Sequence, residues 1–206
     1  MNKRYFITFE GGEGAGKTSL IESIQKYLLD KDLKFISTRE PGGTSFGEHI
    51  RNLLLQEKKG MKMSSKAELC LFLASRAQHI KEVIKPALDE NKIVLSDRYN
   101  DSSVAYQGHA RGLGIDAVIK FSSYIIEDAI PDLTLYLDID PKIGLSRVQT
   151  KYDRIESETI EFHQKIREGF HILAEKFPQR IKIIDAQKSK KDVFDSSINY
   201  IAKLIS

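Results

Sequence analysis

The eight residues from Gly11 to Thr18, GGEGAGKT, constrain this chain more than any other stretch. They follow a short apolar run, RYFITF, and precede a helical-length segment, so the GxxxxGK[ST] spacing falls at a strand-to-helix turn. Glycines there let backbone N–H groups turn inward on phosphate oxygens, and the start of the following helix adds its positive end. Lys17 would reach the outer phosphates of a nucleoside triphosphate, and the Thr18 hydroxyl would serve Mg²⁺. The expected triphosphate site is therefore Gly11, Gly12, Glu13, Gly14, Ala15, Gly16, Lys17, Thr18 and Ser19. Glu10 and Glu13 are unusual in it, because a carboxylate beside a triphosphate costs Coulomb energy. Either they face solvent, or something other than triphosphate docks beside the loop.

Around this loop, β-rich runs at 4–9, 34–38, 92–96, 133–139 and 180–185 alternate with helical-length segments. The helical segments run over 17–30, 45–56, 65–89, 115–128, 141–149, 158–176 and 190–204, and Pro86 is expected to kink or stop the third. Strands that are apolar nearly throughout belong in a parallel sheet covered on both faces. The expected fold is α/β, a three-layer P-loop NTPase arrangement with a five-stranded parallel sheet flanked by helices. At 206 residues, without repeats or a Ser/Gly linker, the chain reads as one domain over 1–206.

Composition narrows the partners. Thirty-two Lys and Arg against 29 Asp and Glu leave a formal charge of +3, which does not point to nucleic acid. No apolar stretch approaches the roughly 20 residues of a membrane span, and the start carries no export signal. A cytoplasmic setting is expected, with no nucleic acid and no membrane as partners. The single cysteine, Cys70 in ELCLFLA, is expected to be a buried, inert thiol.

A second group of residues follows the third strand, in VLSDRYNDSSVAYQG. Asp97 and Arg98 fall at its carboxyl end, the edge where open parallel sheets bind ligands. Asp97 could hold Mg²⁺ directly or through water, and Arg98 could bridge the phosphates of two substrates. Phe72 and Arg76, four apart in LFLASRAQH, share a helical face and could clamp a nucleobase by stacking and hydrogen bonding. Taken alone, Phe72 could equally be core. Arg39 and Arg51 flank the Pro-Gly-Gly loop in STREPGGTSFGEHIRNLLL and could grip the phosphate of an acceptor nucleotide.

Four pieces in order, FEGGEGAGKT, TREPGGT, SRAQH and DRYNDSSVAYQG, resemble the bacterial thymidylate kinases, from about residue 4 to the C-terminus. The resemblance implies ATP and dTMP as substrates, Mg²⁺ as cofactor and a homodimer. It implies that Phe72 stacks on thymine and Arg76 bonds its carbonyl edge, while Ser103 and Gln107 read the rest of the ring. Tyr106 would close against the deoxyribose, Glu13 would lie near the acceptor sugar and the metal, and Arg39, Arg51 and Arg98 would contact the acceptor phosphate. In one branch of the family a basic residue follows the loop acid; here that place is Gly14. The other branch carries its cations on a lid, which here spans about 147–155 in GLSRVQTKYDRIE. Lys17, Arg98 and Arg154 are then the expected catalytic cations, with Lys151 as the alternative to Arg154, and Arg147 is expected to pack on adenine. His163 stands where the family commonly has a phenylalanine, a change of packing rather than chemistry, and His109 falls at a tolerant loop position.

No nucleophilic side chain is required, because the acceptor phosphate oxygen is already anionic. Two other readings remain. One is a kinase of the same architecture acting on dUMP or a deoxynucleoside. The other is an ATP-hydrolysing switch that reports to a protein partner, against which stands the lack of an NKxD-type guanine signature.

Overall fold

The computed structural model describes residues 4–56, 62–148 and 153–205. Five strands, β1 (Tyr5–Glu10), β2 (Phe35–Arg39), β3 (Ile93–Asp97), β4 (Leu133–Asp138) and β5 (Ile181–Asp185), form one sheet in the order β2-β3-β1-β4-β5. Every pairing is parallel, so all carboxyl ends meet along one edge. In register, Phe9 and Arg39 both lie beside Asp97.

Helices cover both faces, as near-continuous apolar strands require. On one side α1 (Lys17–Asp30) and the C-terminal α8 (Lys190–Ile205) bury Ile24, Leu28 and Ile201 against Ile7, Phe9 and Leu135. Each such side chain contributes roughly 1.5–3 kcal/mol by leaving water. On the other side α3 runs through Ser65–His79, Ile80–Ile84 and Lys85–Asp89 and packs Ile80 and Ile84 on Phe6, Val94 and Tyr99. Pro86 does not stop this helix. A wide turn at Ile80–Ile84, with the Lys85 N–H bonded to the Ile80 carbonyl, precedes the ring and takes up the irregularity.

The remaining helices are α2 (Ser45–Leu55), α4 (Asn100–Ser103 continuing as Val104–Ala110), α5 (Ile115–Ile126), α6 (Pro141–Ser146) and α7 (Ile160–Lys176). Thr44, Ser64 and Thr159 cap α2, α3 and α7 by accepting backbone N–H groups three residues on. The helix α4 was not expected from the sequence. Its second half is wound wide, with the Arg111 N–H bonded to the Tyr106 carbonyl at 2.8 Å. His109 therefore lies on a helix rather than a loop, 3.4 Å from Glu168. Cys70 departs from expectation too: it is exposed on α3, because that helix turns Leu69 and Leu73 inward. No helix among the described residues is long and apolar enough to cross a membrane.

Candidate active site

A cleft of about 550 Å³ opens at the carboxyl edge of the sheet. Its floor is the glycine loop from Glu13 to Ser19, and its far end holds Phe72, Ser103, Tyr106 and Gln107. Arg39, Arg51, Asp97, Arg98 and Arg147 line it as well. Of the residues expected to form a site, Gly11, Gly12, Arg76 and Arg154 are absent from this lining.

The loop is shaped by backbone conformation. Gly14 has φ +67°, and a Cβ there would stand 1.9 Å from the Gly144 carbonyl oxygen of α6. Position 14 therefore has no room for a basic side chain. Lys17 is buried, with Nζ donating to the Gly11 and Gly12 carbonyls at 3.1 and 3.3 Å. Burial and the neighbouring Arg98 charge hold its pKa below the usual lysine value.

The two loop acids have different roles. Glu10 is fully buried and does not face solvent or a ligand. Its carboxyl group accepts from the Tyr99 and Ser102 N–H groups at 2.9 and 3.2 Å and pairs with the Ser102 hydroxyl at 2.6 Å, fixing the start of α4. Burial, with the Asp101 charge nearby, pushes its pKa up to about 7. Glu13 lines the cleft and forms an ion pair with Arg98. Burial works against its charge, but Arg98 and Lys17 outweigh that and hold it below the usual carboxylate range.

Arg98 is the hub of the cleft. Its backbone is left-handed (φ +67°), and Nη1 donates to the Gly11 carbonyl at 2.9 Å and to Ser102 Oγ at 3.3 Å. Burial opposes its charge, yet Tyr106, Glu13, Asp97 and Glu10 hold its pKa above the ordinary arginine value. Two buried polar side-chain atoms, Asp97 Oδ1 and the Tyr106 hydroxyl, have no hydrogen-bond partner among the described residues. Both belong to residues lining this cleft.

Two arginines flank the β2–α2 loop, Arg39 at the end of β2 and Arg51 within α2. Arg51 donates from Nη1 to the Pro41 carbonyl at 2.9 Å. Arg39 pairs with Glu48 at 3.0 Å and is otherwise exposed. At the other end of the cleft, Arg147 reaches the Gly14 and Ala186 carbonyls at 3.4 and 3.3 Å.

Arg76 is 1% exposed, and its N–H groups are engaged inside the protein. Nε donates to Glu40 Oε2 at 2.8 Å, and Nη2 forms an ion pair with the same oxygen at 2.7 Å. Nη1 reaches Asn100 Oδ1 and Ser103 Oγ, and Nη2 also reaches the Tyr99 carbonyl. In this conformation it braces Ser103 from behind instead of facing the cleft. Arg154 is similarly occupied, by Glu68 at 2.6 Å and by the Leu54 carbonyl at 2.7 Å. Lys151 lies outside the described residues. His163 is buried on α7, edge-on to Phe162, with its pKa lowered by burial.

Several residues here were not singled out from the sequence. Glu40 is a buried cleft residue held by Arg76 and by His79 Nδ1 at 2.9 Å. Asp153, Glu156 and Lys190 also line the cleft. Glu68, in the first turn of α3, reads locally as an acid favoured by the helix dipole. Its long-range contacts have no local signal.

The family model for thymidylate kinase matches residues 9–197. A thymidylate kinase of Clostridium novyi is 47% identical over 199 residues, covering 95% of this chain and 97% of its own length. One of Protochlamydia amoebophila is 47% identical, covering 97% and 92%. The crystal structure of thymidylate kinase from Ehrlichia chaffeensis superposes with a TM-score of 0.78 at 33% identity, covering 97% of this chain and 99% of that one. That match brings the parallel sheet together with the P-loop fold. Since the family match runs from the last strand residues before the glycine loop into the C-terminal helix, enclosing every element that lines the cleft, this chain belongs to the thymidylate kinase family.

Proposed function

We propose that this chain catalyses its family's reaction in the cleft described: transfer of the γ-phosphoryl group of ATP to dTMP, giving ADP and dTDP. One observation carries the assignment. A phosphate-cradling loop and an aromatic, amide-bearing pocket open into the same cleft, with Arg39, Arg51 and Arg98 lining the same space. An ATPase switch needs only the first of these. A nucleotide acceptor needs both, in one enclosure from which water can be excluded.

In this reading the donor triphosphate lies on Gly11 to Ser19, with its adenine beside Arg147. The acceptor lies opposite, with its ring on Phe72 and against Ser103 and Gln107, and its sugar against Tyr106 and Glu13. An oxygen of the acceptor phosphate attacks the γ-phosphorus in line, the new P–O bond forms, and the bond to the β-phosphate oxygen breaks with both electrons leaving on ADP. Lys17 exchanges its loop carbonyls for phosphate oxygens and meets the charge that builds there. Arg98 holds the acceptor phosphate from the β3 edge, with Arg39 and Arg51 on its other side. No general base is needed. Arg76 could reach the ring only by giving up one of its present partners, so its role here is to brace Ser103. Arg154 acts as the lid cation when it leaves Glu68; residues 149–152 of the expected lid lie outside the described residues.

The residues present suit Mg²⁺. The buried Asp97 Oδ1 lacks a hydrogen-bond partner among the described residues, and the exposed Thr18 hydroxyl shares its cleft. Asp97 and Thr18 would hold the ion, which supplies charge neutralisation for the phosphate oxygens. The 206 residues act as one domain, in the cytoplasm, as a homodimer. Exposed Cys70 on α3 with exposed Phe121 and Tyr124 on α5 support pairing of two copies, which sedimentation would test.

The assay is ADP release with ATP and a panel of dTMP, dUMP, dCMP, AMP and GMP. The highest kcat/KM is expected for dTMP; a higher value for another acceptor would reassign the substrate.

A further inference from the structure

Glu68 is 2% exposed, yet it is not part of the core in any ordinary sense. Four hydrogen bonds converge on its carboxylate. Oε1 accepts from Gln107 Nε2 at 2.8 Å and from Arg111 Nε at 3.3 Å. Oε2 accepts from Arg154 Nη2 at 2.6 Å and more distantly from Arg111 Nη2 at 3.5 Å. Burial opposes its charge, but the Gln107 hydrogen bond and the two guanidinium groups outweigh this and hold its pKa below the usual range. Glu68 is therefore ionised at neutral pH, and an ionised carboxylate can only accept.

That fixes the amide of Gln107. Of its two ends only the NH₂ can face Glu68, so the carbonyl oxygen Oε1 is the end left for the cleft, which Gln107 lines. Without Glu68 the two orientations of an amide are nearly isosteric, and the pocket could present either a donor or an acceptor.

We propose that Glu68 is a positioning residue for acceptor choice: it locks Gln107 with its carbonyl oxygen toward the base pocket, so the pocket takes a pyrimidine with a ring N–H and rejects one with a ring acceptor. Thymine and uracil have that imide N–H, whereas cytosine presents a bare ring nitrogen. A carbonyl oxygen facing that nitrogen leaves two acceptors opposed and buried, the arrangement sites use to discriminate strongly. This inference rests on the assignment of the Phe72 end of the cleft to the acceptor base.

The test is the ratio of kcat/KM for dTMP to that for dCMP in the full-length protein, with thermal melting recorded alongside. Glu68→Gln lets the Gln107 amide turn either way, and is expected to lower the ratio about tenfold. The change should arise mainly in the acceptor KM, with the ATP KM unmoved. Gln107→Leu should lower the ratio by a similar factor. Adding Glu68→Gln to Gln107→Leu should lower it no further, because the first residue acts through the second. A purely structural Glu68 would change the melt and leave the ratio unaltered. If the wild type prefers dTMP and Glu68→Gln keeps that preference, the Glu68 inference falls and the acceptor assignment stands. If the wild type shows no preference for dTMP, both fall. Should Glu68→Gln fail to fold, Gln107→Leu alone decides: an unchanged ratio overturns the proposal.

Discussion

The two ends of the cleft are built by different physics. The glycine loop makes its site from backbone, with Gly14 pressed against Gly144 so closely that a side chain has no room. The acceptor end makes its site from side chains that hold one another: Arg76 on Glu40, Gln107 and Arg154 on Glu68. A backbone site is local, and eight consecutive residues specify it. A side-chain site is assembled across long sequence separations, so each member depends on partners that the local sequence does not reveal.

The sharpest way to break this contrast is to remove a brace at the acceptor end. Arg76→Ala leaves Glu40 buried without its main cationic partner and is expected to cost about 3–5 kcal/mol of stability. Chemical denaturation measures it; a loss under about 1 kcal/mol would mean that Arg76 is not structural. At the loop end the expected loss is in rate instead. Lys17→Ala should lower kcat about a thousandfold, or ~4 kcal/mol of barrier, with an unchanged melting temperature. An unaltered rate would remove the loop from the mechanism.

Glu10 joins the two ends, and its prediction concerns pH. Its folded pKa is raised from 4.5 to about 7, so the folded state binds the proton more tightly than the unfolded chain does. The stability this gives is complete below about pH 4.5 and is lost as pH rises through about 7, by about 3 kcal/mol in all. Glu10→Gln should remove that decline, measured as stability from pH 4.5 to 8; an undiminished slope would assign it to another group. The smallest effect is expected at Phe72. Phe72→Ala should raise the dTMP KM about tenfold and spare that of ATP. Equal effects on both would place Phe72 in the scaffold.

The contrast also marks what could be read from the residues alone. The five strands and the loop carry local signals, namely apolar runs and a fixed glycine spacing, and they fall within a residue or so of expectation. The helix from Asn100 to Ala110 opens on Asn, Asp and two Ser, all weak helix formers, and its wide turn breaks the usual period, so nothing in NDSSVAYQGHA announces it. Arg76 and Phe72 share a helical stretch, yet only Phe72 lines the cleft, because Glu40 draws the arginine into the interior. Glu10 could be taken for a ligand-facing acid only because its partners, Tyr99 and Ser102, lie some ninety residues further on. Burial of a charge is a property of the assembled fold, and no window of sequence contains it.

The central claim is that both ends serve one reaction, with a nucleotide rather than water receiving the phosphoryl group. A single turnover with γ-labelled ATP, Mg²⁺ and dTMP tests it most directly. The account predicts that the label appears in dTDP, dependent on dTMP, with little released as inorganic phosphate. Label released as inorganic phosphate at the same rate with or without dTMP would contradict it.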